Sequence, residues 1–364
     1  AGNVGLMYRK DLVLRSESGP EQTVIDVEDS ETAGVLFWNA ETRSAILDGF
    51  TVRRGLGSGG TVGGGGISCF SGSPTITNCI LRDNDGGAIW ISSSPLIREC
   101  LIEDNAFGIV VEGNGWPEVV SCTIRGGGNG IACWDESRPT IHNCLINGNY
   151  GWGVGLLGAP ETEVVNCEIS GNALGGVHGG FGHIVGCTFA SNQHTGLYLW
   201  NNITIERSVI WGNCAEQGSD IYVDGAIISL RCCAWPDSGV YAIRGGQVIP
   251  DGPQVRTDPR YCGPLPCPSP GEASPGGDYS LRSDSPCLAA FSPCHEQIGI
   301  HGVGCQAPAA VGACCVEGAG CLLETRPGCA ARQGAYGGDG ASCFPDPCGP
   351  TPVKKVSWGQ IKAT

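Results

Sequence analysis

One methionine and four lysines stand against 60 glycines and 23 prolines, so strong helix formers are scarce and helix breakers abundant. A helical protein is thereby disfavoured. No stretch reaches the roughly 18 apolar residues that a membrane helix needs, so no membrane span is expected. The formal charge is −15, and the only lysines are Lys10, Lys354, Lys355 and Lys362. Nucleic-acid binding needs clustered Lys and Arg against phosphates, so that class is disfavoured too. There is no CxxCH, hence no covalently attached haem. No basic-then-apolar leader opens the sequence, and any secretion signal is expected to have been removed or to lie outside it.

Cysteine is plentiful. Its 22 copies are far too many for an ordinary cytosolic chain and point to an oxidising location, extracellular or at the cell surface. Many recur at a fixed spacing. "SPTITNCILRDN" (73–84) returns as "RPTIHNCLINGN" (138–149). Cys79, Cys100, Cys122, Cys144, Cys167 and Cys187 follow one another at steps of 21, 22, 22, 23 and 20 residues, and Ser208 holds the same slot 21 later. Seven copies at one period make an array.

Two columns flanking this slot are apolar in every copy. Three residues before it stand Ile76, Ile97, Val119, Ile141, Val164, Ile184 and Ile205; two after it stand Leu81, Ile102, Ile124, Ile146, Ile169, Phe189 and Ile210. The cysteine and the residue two after it share a strand face, whereas the residue three before is out of phase. A corner must lie between, and Asn78, Asn143, Asn166 and Gly186 are types that tolerate it. Five residues after the cysteine comes Asn84, Asn105, Asn149, Asn172, Asn192 or Asn213, with Gly127 as the exception, and then another short apolar strand. Each repeat therefore predicts one coil: strand, corner, strand, asparagine turn, strand. Like residues of successive coils stack about 4.8 Å apart. "LDGFTVRRG" is a weaker earlier copy with Phe50 in the cysteine slot, followed by a glycine-rich loop over 55–66. About nine coils are expected from Asp11 to Arg231, roughly 40 Å of solenoid. The cysteine column has two readings, a buried reduced file or disulfides between coils. Coil spacing falls in the disulfide range, although parallel side chains rarely find the torsion. The first is preferred, and the asparagine column reads as a structural amide ladder.

These repeats resemble those of right-handed parallel β-helix proteins of the pectate-lyase-like fold. "DPRYC" (258–262), "GDYSLRSDSPCL" (277–288) and "IGIHGVGC" (298–305) resemble the closing segment of secreted β-helix proteins from environmental bacteria. The resemblance covers residues 1 to about 305 and implies an all-β parallel β-helix. The family usually opens on an amphipathic capping helix. Here "AGNVGLMYRKDLVLRSESGPE" starts inside the pattern, so the expectation is either that the cap was cut away or that the first coil's edge is covered by something else; an uncovered edge would be open to a neighbour.

The expected organisation is a β-helix over 1–233, a loop-rich cap over 234–306, a cysteine-rich module over 307–349 and a basic tail over 350–364. In the cap, Cys262 with Cys267 and Cys287 with Cys294 are close enough in sequence to staple loops. The module holds Cys314, Cys315, Cys321, Cys329, Cys343 and Cys348 in a segment too small to fold without staples. Histidine and paired CxxC units are missing there, which disfavours zinc.

The last strand of each coil turns alternate residues outward, and that stripe reads as aromatic and apolar: Trp38, Phe70, Ile91, Trp134, Leu157 and Trp200, with Tyr198 and His178 in the neighbouring column. Exposed apolar stripes mark interaction sites. The expected function is a secreted structural or adhesive solenoid that binds copies of itself or another surface protein, as in a filament or surface layer. The alternative is a polysaccharide-binding protein or polysaccharide lyase. Pectate lyases of this fold resemble one another in an acidic calcium cluster with an Arg or Lys base. Asp83, Asp85 and Asp104 are the acids that would hold calcium, and otherwise they read as solvated turn carboxylates. The array has no lysine, and "HGGFGH" (178–183) only echoes the NTD, DD and GHG motifs of polygalacturonases. No cofactor is otherwise implied. If the chain is catalytic, His178 and Tyr198 are the base and acid, being in one column of adjacent coils.

Overall fold

The computed structural model describes residues 4–5, 11–28, 33–56, 65–159, 161–180, 182–267, 269, 271–307, 311–316, 320–338, 341 and 343. Cys348, the tail over 350–364 and most of the glycine-rich loop fall outside these residues.

Three short strands per coil stack into three parallel sheets. The first has eleven strands from Val4–Gly5 to Val240–Ile243, the second eleven from Val13–Arg15 to Gln247–Asp251, and the third nine from Val24–Asp26 to Val209–Ile210. Each strand pairs with its counterpart one coil away. In the second sheet Ile97 lies between Ile76 and Val119, and in the third Ile102 lies between Leu81 and Ile124. The solenoid therefore has about eleven turns rather than nine. Its last turn, Val240–Ile243 and Gln247–Asp251, runs past residue 233, where the cysteine and asparagine columns have already ended.

The corner before the cysteine slot is left-handed throughout, with φ of 50° at Asn78, 55° at Glu99, 53° at Ser121 and 47° at Arg207. Glu and Arg adopt it against their own preference, at a cost of about 1–2 kcal/mol each, because the strands on both sides are held by neighbouring coils. The interior is a file of isoleucines, valines and leucines, with the cysteine column among them. Cys79, Cys100, Cys122, Cys144, Cys167 and Cys187 are free and buried, as are Cys69, Cys133 and Cys233. Burial pushes the thiols of Cys69, Cys133 and Cys167 up and that of Cys233 to about 12, so they lack the thiolate that reacts.

The asparagines form a directional amide chain. Asn149 Nδ2 donates to Asn172 Oδ1 at 2.9 Å, Asn172 to Asn192 at 3.0 Å, Asn192 to Asn213 at 2.9 Å, and Asn213 to Asp220 Oδ1 at 2.9 Å. The chain ends on Asp220 because its last member has only to accept. Asp220 is 2 % exposed, and burial raises its carboxyl to about 6.

Beyond Asp251 the chain turns back along the third sheet. Ser191 Oγ donates to Leu265 O at 2.9 Å, Ser274 N to Gly171 O at 2.9 Å, and His301 Nε2 meets Glu168 Oε2 at 2.6 Å. This return path overturns the expected local staples. The disulfides are Cys214–Cys267, Cys232–Cys294 and Cys262–Cys305, joining residues 43 to 62 apart, while Cys287 is free and fully buried. Cysteines of the cap meet cysteines of the last coils, not one another, in two of the three.

Residues 306–364 are a separate compact unit. Val311–Val316 pairs antiparallel with Gly320–Thr325 and with Ala335–Tyr336. A short helix, Arg326–Ala331, is capped by Thr325 Oγ1, which accepts from Gly328 N at 3.2 Å. Cys314–Cys329 and Cys321–Cys343 are disulfides, and Cys315 is disulfide-bonded as well.

Candidate functional site

The outward column of the first sheet departs from repetition. Its inward neighbours Val177, Leu197, Leu199, Ile221 and Val223 are fully buried, so the period of two turns His178, Tyr198 and Tyr222 outward. His178 pairs across the sheet with Tyr198, Tyr198 with Tyr222, and Tyr222 with Tyr241. The rings then touch in series. Trp152 stacks on His178 with centroids 4.5 Å apart and planes at 21°, and Tyr198 stacks on Tyr222 at 4.6 Å and 7°. Between these pairs His178 and Tyr198 lie 5.3 Å apart. Rings stacked along the coil axis cover each other's faces and present their edges and hydroxyls. Trp200 is turned out of the stack, at 77° to His178 and 70° to Tyr198.

A glycine makes this clustering possible. Gly175 adopts φ 146°, and a methyl there would run into the Trp152 indole. His178 is half-buried in this aromatic setting, and burial holds its imidazole below the usual histidine range. It is therefore neutral at neutral pH. Among the described residues no carboxylate is paired with it.

An open cleft of ≈ 1110 Å³ runs beside the ring series. Tyr198 and Tyr222 form part of its lining, with Gln193, Glu216 and Gln217 as polar groups and the Cys214–Cys267 disulfide at one side. Gln193 Oε1 accepts from Gly271 N at 2.7 Å, which ties the returning cap segment to the cleft. An apolar floor with a few convergent polar groups is what small-molecule and sugar sites share. A second depression of ≈ 770 Å³ lies near the Cys232–Cys294 disulfide. Its charges are satisfied by one another, through Arg231–Asp251 at 2.9 Å and Arg207–Glu296 at 3.2 Å.

Residues 26–138 and 118–234 match the right-handed β-helix region family. The chain belongs to that family. No curated protein matches the sequence. Among solved structures, this β-helix is similar to a mutant of the periplasmic alginate epimerase AlgG, at 12% identity and a TM-score of 0.52. The match covers 61% of this chain and 62% of that one, so the β-helix spans less than two thirds of the enzyme's structure. At that identity the likeness shows the fold.

The expected residues of the β-helix sort as follows. His178, Tyr198 and Trp200 are brought together. Trp38, Phe70 and Leu157 are exposed in the flanking column, at 51%, 37% and 43%, and Trp134 is half-buried and packs edge-on to Trp90 at 5.9 Å. Ile91 is a correction: it is 0% exposed and pairs with Cys69 and Val111 on the inward face. The coil is led by Ala88, not Gly87, and a one-residue slip exchanges the two faces. Trp90 is the outward residue there. Asp83, Asp85 and Asp104 are exposed, and among the described residues no three metal-ligating side chains converge. Asp83 lies 3.9 Å from Arg82, and both Asp83 and Asp104 hold left-handed turns. Trp152, Tyr222 and Tyr241 were not anticipated. The in-out-in alternation of "IYV" (221–223) marks Tyr222, whereas Trp152 precedes the regular columns.

Proposed function

We propose that this β-helix acts outside the cytosol as a polysaccharide-binding protein, with the ring series from Trp152 to Tyr222 and its adjoining cleft as the binding face. One observation carries the reading: two stacked tyrosines, Tyr198 and Tyr222, line a cleft with amide and carboxylate groups, and the half-buried Trp200 indole packs edge-on against Tyr198. Sugars offer C–H faces to aromatic rings and hydroxyls to such polar groups. The five described disulfides support an oxidising compartment. The likeness to an alginate epimerase supports a glycan-related role at the level of fold. A glycan array probed with the full chain tests the reading. Binding that vanishes in Trp200→Ala is the expected outcome, and no binding to any glycan contradicts it.

A second reading, self-association or docking to a surface protein, draws on the exposed Trp38 and Phe70 in the flanking column. Sedimentation of the chain over a range of concentrations distinguishes it. Association that is lost in Trp38→Ser, Phe70→Ser favours this reading, and a concentration-independent monomer removes its self-association form.

A further inference from the structure

We infer that the polymer taken by this face is an uncharged glycan, in contrast to a polyuronate; the inference rests on the glycan-binding reading. The electrostatics of the face carry it. Among the described residues Arg244 is the one arginine at the first sheet's carboxy-terminal end, and it is paired with Asp224 at 3.1 Å. The sequence has no lysine between Lys10 and Lys354. The other charged groups along the first sheet and in the cleft include Glu112, Asp135, Asp224 and Glu216, set in a chain of formal charge −15. A polyuronate brings one carboxylate per sugar and would need a cation for most of them, as phosphates do. Here it would meet carboxylates instead, and at low ionic strength this repulsion extends about 30 Å.

An uncharged glycan turns the same groups into partners. Carboxylates and amide oxygens accept from sugar hydroxyls, and the outward tyrosine edges offer phenolic hydroxyls that both donate and accept. Glu216, Gln193 and Gln217 lie on the cleft beside Tyr198 and Tyr222, where those hydroxyls would arrive. Trp200 supplies the apolar contact with a sugar's C–H face. An uncharged glycan also lacks the carboxyl group that activates a sugar for β-elimination, so lyase chemistry at His178 and Tyr198 is removed with it.

Affinity electrophoresis of the full chain decides the matter. Gels are cast with uncharged polymers (xylan, mixed-linkage β-glucan, glucomannan, galactan) or with anionic ones (alginate, polygalacturonate), at low and at high salt. The expected result is retardation by at least one uncharged polymer at both salt concentrations, and none by the anionic polymers. Tyr222→Phe, which keeps the stack and loses one hydroxyl, should weaken that retardation roughly five- to tenfold. Retardation by anionic polymers alone overturns the inference while leaving the glycan-binding reading standing. No retardation in any gel overturns both.

Discussion

Two stacks of like residues run along this solenoid, one inside and one outside, and they obey different rules. The asparagine stack is buried, and from Asn149 to Asp220 each amide donates to the next. The outward column of the first sheet reads Leu36, Ser68, Trp90, Val110, Ala132, Gly155, His178, Tyr198, Tyr222 and Tyr241, with hardly two alike before the tyrosines. Its inward neighbours are Val35, Ile67, Ile89, Ile109, Ile131, Val154, Val177, Leu197, Ile221 and Val240, all β-branched or leucine. Repetition inside is what each coil demands of the next. Where the outside stops repeating and gathers rings, something other than the fold is being served.

The comparison can be broken at several points. The largest effect should come from Cys214→Ser with Cys267→Ser. Cutting this crosslink frees a loop of 53 residues, worth about 4 kcal/mol by chain entropy. Limited proteolysis should then cleave within 264–275 first, because Cys267 anchors that return segment at the cleft. Next, Asn172→Ala removes an amide that donates to Asn192 and accepts from Asn149. It leaves a buried donor without its partner and should lower stability by about 3 kcal/mol in urea titration.

Asp220 makes the inner stack sensitive to pH. Its folded-state carboxyl titrates at about 6, above the ordinary 3.8, because burial disfavours the charged form. The fold therefore takes up a proton there. The resulting stability is fully present below about pH 4 and is lost as pH rises through 6, a swing of about 2–3 kcal/mol. Asp220→Asn should flatten that part of the pH–stability curve while keeping an acceptor for Asn213. A curve unchanged by the substitution would mean that Asp220 is ionised without cost.

How much of this was legible beforehand follows the same division. The inner columns were readable because Ile76, Cys79, Leu81 and Asn84 recur in copy after copy, each required by stacking. The outward face had no such redundancy, and at Gly86-Gly87-Ala88 nothing in the sequence says which residue leads the strand. That is how Ile91 came to be expected outside. The last turn, Val240–Asp251, has neither cysteine nor asparagine in the diagnostic slots; Gln254 takes over one role by accepting from Cys233 N at 3.0 Å. Disulfide pairing was unreadable for a different reason. The cap folds back along the solenoid, so Cys214 meets Cys267 through tertiary structure and not through proximity in sequence. Of the candidate site, the adjacency of His178 and Tyr198 followed from the coil period, while Trp152 lay outside the columns, Tyr222 followed the last asparagine turn at a longer interval than in earlier coils, and Tyr241 lay in a coil past Arg231.

The smallest effect on stability should come from the outer rings, and there the account is most directly exposed. In the double variant Trp200→Ala, Tyr222→Ala, the urea midpoint and the retardation in polysaccharide gels can be measured on one preparation. The account predicts a loss of about 1–2 kcal/mol in stability, the value of aromatic contacts at a half-buried surface, with retardation abolished. A variant that still binds as the parent does, or that unfolds as readily as Asn172→Ala, would contradict it.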